Sequence, residues 1–230
     1  MQIFGMEKLS LVDYDGKVCC TLFTAGCNFK CGFCHNGPLV IGVDKLSPLN
    51  EDEVLSYIES RKKLLDAVCV SGGEPTLYPD LPKFLEKIKK FGLDIKLDTN
   101  GTNPQMIKTL KDNALIDYFA MDIKNDKENY GKIIGTYGYD TKKIEKSVDF
   151  LISTNQNYEF RTTLIKEFHS LDNMIAIGKW IKGAIKYRLQ QFKETEGCID
   201  KGLSAIDENT AKSFVSALKE FVPNTELRGY

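Results

Sequence analysis

Six short apolar runs punctuate the chain: Cys19 to Phe23, Ala67 to Val70, Leu93 to Leu97, Tyr118 to Ile123, Phe160 to Ile165 and Ile185 to Leu189. They are brief and often β-branched, which suits strands buried on both faces. Between them apolar residues recur at helical spacing: Val54 and Ile58; Leu81, Phe84, Leu85 and Ile88; Ile107 and Leu110; Ile144, Val148, Leu151 and Ile152; Met174, Ile177 and Ile181. A last helix is predicted over Ala211, Phe214, Val215 and Leu218. Punctuation agrees, because Ser47-Pro48 and Tyr78-Pro79-Asp80 precede predicted helices while Gly92 and Gly183 stand where helices should end. Strand followed by helix, repeated, predicts the α/β class with a parallel sheet. Periodicity alone is compatible with a doubly wound sheet or a partial barrel of six βα units. No linker, charge block, low-complexity stretch or internal repeat intervenes. The expectation is one domain over 1–230, with its core at about 18–192 and a C-terminal helix and tail at 203–230.

In either architecture ligands gather where parallel strands end, and the polar motifs sit there. Ser71-Gly72-Gly73-Glu74-Pro75 follows the second predicted strand, Asp98-Thr99-Asn100-Gly101 the third, and Asp122-Ile123-Lys124 the fourth. Composition is that of an ordinary folded chain, 42% hydrophobic and 27% charged. Lys+Arg 31 against Asp+Glu 32 leaves no overall basic field, so direct nucleic-acid binding is not expected. The longest charge-free run, Cys31 to Val43, is too short for a membrane span, and the first residues, with Glu7 and Asp13, carry no export signal. A cytoplasmic protein without membrane contact is expected.

Cysteine usage changes the picture. Seven cysteines, an odd number without an export signal, argue against a disulfide framework and for thiolates that bind metal or do chemistry. Three share the loop Thr24-Ala25-Gly26-Cys27-Asn28-Phe29-Lys30-Cys31-Gly32-Phe33-Cys34-His35-Asn36, as a C-x3-C-x2-C triplet after the first predicted strand. Three thiolates on one short loop can hold three irons of a cubane [4Fe–4S] cluster, leaving the fourth iron open to a substrate or cofactor. A structural zinc site would want four ligands in a closed tetrahedron, and His35, immediately beside Cys34, is poorly spaced to be the fourth.

The loop resembles that of the radical S-adenosylmethionine (SAM) enzymes, whose motif is C-x3-C-x-aromatic-C, with Phe33 as the aromatic residue. Gly72-Gly73-Glu74-Pro75 resembles the GGEP motif of that superfamily, which binds the amino group of the methionine moiety. Glycines let a backbone approach a ligand closely, and a carboxylate complements an ammonium. Within the superfamily the chain is similar to the glycyl-radical-enzyme activases, and most of all to the activating proteins of anaerobic ribonucleoside-triphosphate reductase. Cys34-His35-Asn36, Leu97-Asp98-Thr99-Asn100-Gly101, Met121-Asp122-Ile123-Lys124 and Glu159-Phe160-Arg161-Thr162-Thr163 with Leu189-Gln190-Gln191-Phe192 carry that closer likeness. Activases with extra ferredoxin-like cysteines have an insert after the first motif, and this chain has none. It departs from many relatives at Gly37, where they carry Pro.

The resemblance implies a partial (β/α)6 TIM-like barrel of the radical SAM type, with Cys27, Cys31 and Cys34 on a [4Fe–4S] cluster. It implies SAM contacts from Phe33, Gly72, Gly73, Glu74, Asp98, Asn100, Asp122, Lys124 and Arg161. Asp98 and Asp122, with the Lys124 region, would help bind SAM or a monovalent cation near its carboxylate. The blander alternative is strand-end carboxylates that stabilise the helix N-termini behind them. A strand arginine such as Arg161 needs an anionic partner, either the SAM carboxylate or an internal acid. Asn100 would position ribose or shape the turn before Gly101. Cys19, Cys20 and Cys69 are expected to be small buried hydrophobes, Cys198 an exposed thiol, His35 a residue that supports the cluster ligands from behind or faces a partner, and His169 a surface residue before a helix. Leu227-Arg228-Gly229-Tyr230 is expected to be a docking segment.

The implied reaction is one-electron reductive cleavage of SAM to a 5′-deoxyadenosyl radical. That radical then takes a hydrogen from the Cα of a glycine in a partner, the anaerobic reductase by closest likeness. A flavodoxin- or ferredoxin-type protein would supply the electron. The competing readings are a radical SAM enzyme acting on a small molecule, in the manner of a deazapurine synthase, and a zinc-stabilised binding module without catalysis.

Overall fold

The computed structural model describes the whole chain, Met1–Tyr230. In chain order it runs β1 (Gly5–Ser10), β2 (Cys19–Thr24), α1 (Gly37–Val40), α2 (Glu51–Arg61), β3 (Ala67–Gly72), α3 (Leu81–Lys89), β4 (Asp94–Thr99) and α4 (Pro104–Asp112). It continues with β5 (Tyr118–Asp122), α5 (Tyr130–Ile133), α6 (Lys142–Ser153), β6 (Asn157–Leu164), α7 (Leu171–Trp180), β7 (Tyr187–Gln191), α8 (Glu208–Leu218) and β8 (Thr225–Arg228). The eight strands lie in one sheet in that same order. β1 runs antiparallel to β2, whereas β2 with β3, β3 with β4, β6 with β7 and β7 with β8 are parallel. Neighbours in sequence that are also neighbours in the sheet, joined by helices, are what repeated βαβ units produce. The α/β class and its mostly parallel sheet are therefore as expected.

The six predicted strands are β2 to β7. The apolar pattern does not reveal the one-turn helices α1 and α5, and both strands that it does not reveal are edge strands. β1, GMEKLS, is mostly solvent-facing, and β8, TELR, has one buried residue in four. An edge strand with little buried surface has little need of an apolar run. The Ile185-to-Leu189 run is displaced: β7 starts at Tyr187, and Ile185 is exposed.

Contacts divide the chain into two compact units, Met1–Asn28 with Pro38–Ala120, and Phe29–Gly37 with Met121–Tyr230. In the first unit, alternation along β2, β3 and β4 sorts the side chains onto two faces. Cys20, Val68 and Ile95 align in register on one face, followed by Leu22, Val70 and Leu97, all fully buried. The buried stripe of α3, Leu81, Phe84, Leu85 and Ile88, belongs to the same core. Thr21, Cys69 and Lys96 align on the opposite face, one residue out of phase. The second unit is built on Tyr158 and Phe160 of β6 and Tyr187 and Leu189 of β7. Ile144, Val148 and Leu151 of α6 and Met174 and Ile177 of α7 are buried with them. No helix is long and apolar enough to cross a membrane.

Candidate functional site

Within the first unit the ends of β2, β3 and β4 converge. Gly73 N donates to Thr24 O at 2.8 Å and Glu74 N to Gly26 O at 2.9 Å, so the Gly-Gly turn lies directly on the start of the cysteine loop. A Cβ on Gly73 would overlap the Gly26 carbonyl, and one on Gly72, whose φ is 109°, would overlap Thr24. These glycines serve a backbone-on-backbone contact.

The Glu74 side chain points inward and is 1% exposed. Its Oε1 accepts from Thr76 N at 3.1 Å, from the Thr76 hydroxyl and from the Thr99 hydroxyl at 2.7 Å, and its Oε2 accepts from Asn100 N at 2.7 Å. Four donors thus face the carboxylate, three on Oε1 and one on Oε2. Burial pushes its pKa above the ordinary carboxylate value, and the donated hydrogen bonds oppose the rise. Asn100 passes the connection on. Its Nδ2 donates to Asn28 Oδ1 at 2.9 Å and reaches Cys27 Sγ at 3.8 Å, while its Oδ1 accepts from Thr102 N at 3.0 Å. Asp98, at the end of β4, accepts from Lys96 Nζ at 2.6 Å and from the Ser71 hydroxyl at 2.9 Å. Lys96 is almost fully buried, and Cys69 Sγ lies 3.9 Å from its ammonium. Thr99, Lys96, Asn28 and Thr102 escaped the sequence reading, where a polar residue in mid-strand was the available signal for Lys96.

The second unit holds Cys31, Phe33, Cys34, Asp122, Lys124 and Arg161. The anionic partner of Arg161 is internal: its Nε donates to Asp122 Oδ1 at 2.9 Å, and Lys124 Nζ donates to Oδ2 of the same carboxylate at 2.9 Å. Lys124 Nζ also stands 5.6 Å from the centre of the Phe33 ring. Burial works against its charge, but Asp122 and Cys31 outweigh that and raise its pKa, so it is an ammonium. Burial raises the Cys34 thiol, and Lys124 acts to lower it.

Two expectations are corrected here. His169 is buried, not on the surface: Nδ1 accepts from Ile165 N at 3.0 Å, and Nε2 donates to Lys124 O at 2.9 Å. The ring therefore fixes the backbone that carries Lys124. Cys198 is also buried, at 5% exposure, and its Sγ lies 3.9 Å from Phe33 O. Cys19, Cys20 and Cys69 are fully buried, as expected.

No group of three or more His, Cys, Asp or Glu side chains is gathered to hold a metal ion. A cubane does not require that, because each of its cysteines binds a different iron.

The family model described as the radical SAM superfamily matches residues 21–169. A protein of Methanocaldococcus jannaschii that carries the name "putative glycyl-radical enzyme activating enzyme" is 32% identical over 98% of this chain and 95% of its own length. One of Thermococcus kodakarensis named "probable GTP 3',8-cyclase" is 30% identical over 58% of this chain and 44% of its own. Among solved structures, Streptococcus suis SuiB bound to S-adenosylmethionine superposes with a TM-score of 0.70 at 14% identity, over 90% of this chain and 49% of that one. This chain thus spans about half of that structure, and the likeness is one of fold. With the cysteine triplet at the end of β2, the match across the sheet and a relative collinear over nearly its full length, the chain belongs to the radical SAM superfamily, whose chemistry uses a [4Fe–4S] cluster and SAM.

Proposed function

We propose that Cys27, Cys31 and Cys34 each bind one iron of a [4Fe–4S] cluster, and that the protein installs a glycyl radical on a partner enzyme, for which the sequence resemblance suggests anaerobic ribonucleoside-triphosphate reductase. The donor set fits the cluster. The Asn100 amide reaches Cys27 Sγ, and the Lys124 ammonium stands by Cys31, so both sulfurs have a group that favours the thiolate. When bound, the reduced cluster supplies the electron that cleaves SAM to methionine and a 5′-deoxyadenosyl radical.

This chain's part is binding and orientation. Arg161 and Lys124 place two cationic groups on the two oxygens of Asp122, a setting that suits the carboxylate of the methionine moiety. Gly72, Gly73, Asp98 and Asn100 would line the rest of the SAM site, and Phe33 would hold Lys124 in place. Glu74 would act chiefly by fixing Asn100 and Thr99 around it. A flavodoxin- or ferredoxin-type donor is the proposed source of electrons.

The observation that carries the activase reading is the collinear relative, matched over 98% of this chain and 95% of its own length. The partial match to the GTP cyclase supports a second reading, chemistry on a small molecule. The deciding experiment incubates the reduced, cluster-loaded protein with SAM and the reductase. Methionine, 5′-deoxyadenosine and a glycyl radical on the reductase are expected. Repeated turnover of a free nucleotide, with no radical on any protein, would favour the second reading.

A further inference from the structure

Beyond β7 the chain runs from Phe192 to Asp200 against the second arm of the cysteine loop, within the second unit. Gly37 N donates to Gly197 O at 3.1 Å, and Asp200 N donates to Gly32 O at 2.8 Å. His35 Nε2 donates to Lys193 O at 2.7 Å, and the His35 ring stacks on Phe192 with centroids 5.8 Å apart and planes 17° apart. Cys198 closes the middle: its thiol lies 3.9 Å from Phe33 O, and Thr195 N donates to its sulfur at 3.4 Å. Contacts therefore fall on residues 32, 33, 35 and 37, interleaved with Cys34.

Three glycines make this approach possible, and none has a positive φ. Their requirement is space. A Cβ on Gly32 would overlap the Asp200 side chain, one on Gly37 the Gly197 carbonyl, and one on Gly197 the His35 carbonyl. Proline at position 37 would have no N–H to give Gly197 O and would bring a side chain into the overlap, so this contact and a proline there are incompatible.

We propose that the segment 193–200 is a clasp that holds the Cys31-to-Cys34 arm in its metal-receiving shape before any metal arrives, with Gly197, Cys198 and Asp200 as positioning residues. A free loop must be ordered at the moment of cluster capture, and that ordering reduces affinity. Backbone contacts made during folding remove the cost from the capture step. The inference rests on Cys31 and Cys34 being ligands, but its primary readout does not.

The test uses protein prepared without iron. Hydrogen exchange of the Gly37 and Asp200 amides should already be slow in the wild type. Gly197→Ala should speed it by about ten-fold or more, the scale of one lost backbone hydrogen bond, while exchange in α6 stays unchanged. Cluster uptake from iron and sulfide should slow in parallel. Because Gly197→Ala places its Cβ on rigid backbone, with unfolding of the whole segment as one outcome, a second pair tests the same contact through a side chain. Gly32→Ala should slow uptake, and adding Asp200→Ala should restore it, since the overlapping carboxylate is then gone. Fast exchange of both amides in the metal-free wild type overturns the clasp. Altered exchange with wild-type uptake overturns its role in metal capture, and so does a Gly32→Ala defect that Asp200→Ala does not relieve.

Discussion

At the scale of single residues, Glu74 and His169 act through what they hold in place. Glu74→Gln keeps the size of the side chain but replaces one acceptor oxygen with an amide donor, facing groups that themselves donate. Leaving a buried donor unpaired costs about 1–3 kcal/mol. The metal-free variant should therefore unfold at lower urea, besides binding SAM more weakly; an unchanged midpoint would mean that the carboxylate network does not exist. His169 gives a pH prediction. Burial lowers its pKa below the ordinary histidine value, and in the neutral ring Nδ1 accepts from Ile165 N. The unfolded chain then takes up the proton more readily than the folded one, so stability falls as pH drops below about 6.5. The slope from this one group is at most about 1.4 kcal/mol per pH unit. Denaturation midpoints between pH 7 and pH 5 should show it, and His169→Gln should flatten it.

At the scale of elements, the loop after β2 is divided between two supports. Its Cys27 end is tied to the β4 end through Asn100, and its Cys34 end to the segment after β7. Replacing Cys27, Cys31 or Cys34 with Ala should abolish SAM cleavage, measured as 5′-deoxyadenosine. Cys69→Ala should leave cleavage intact and cost about 1 kcal/mol or more of stability, because that thiol is fully buried in β3. A triplet variant that assembled a normal cluster and turned over would sink the ligand assignment. The helices follow familiar rules. Ser170 begins α7 with a capping box closed by Asn173, and Asn50 caps α2 by accepting from Asp52 N and Glu53 N.

At the scale of the whole molecule, the proposed activity depends on a second protein. A 5′-deoxyadenosyl radical is too reactive to wait in water, so the partner's glycine must be in place before cleavage. Cleavage of SAM should accelerate several-fold when the reductase is added. A reductase with Ala in place of its radical-site glycine should give no glycyl signal. A radical on Gly229 of this chain instead would overturn the activase reading and leave the superfamily assignment standing.

The amino-acid pattern by itself determined the α/β class, the order of six strands and their helices, and the cysteine triplet, because each depends on spacing over a few residues. Tertiary structure decided the rest. Arg161 had two conceivable partners, and the register of the fold chose Asp122. Cys198 and His169 lie in polar stretches of sequence and are nonetheless buried, since what covers them arrives from elsewhere in the chain. His35 meets Lys193 across 158 positions and Phe33 meets Cys198 across 165, separations that no local pattern encodes. The edge strands β1 and β8 were hidden for the converse reason: with little surface to bury, they need no apolar signature, and only pairing with β2 and β7 makes them strands.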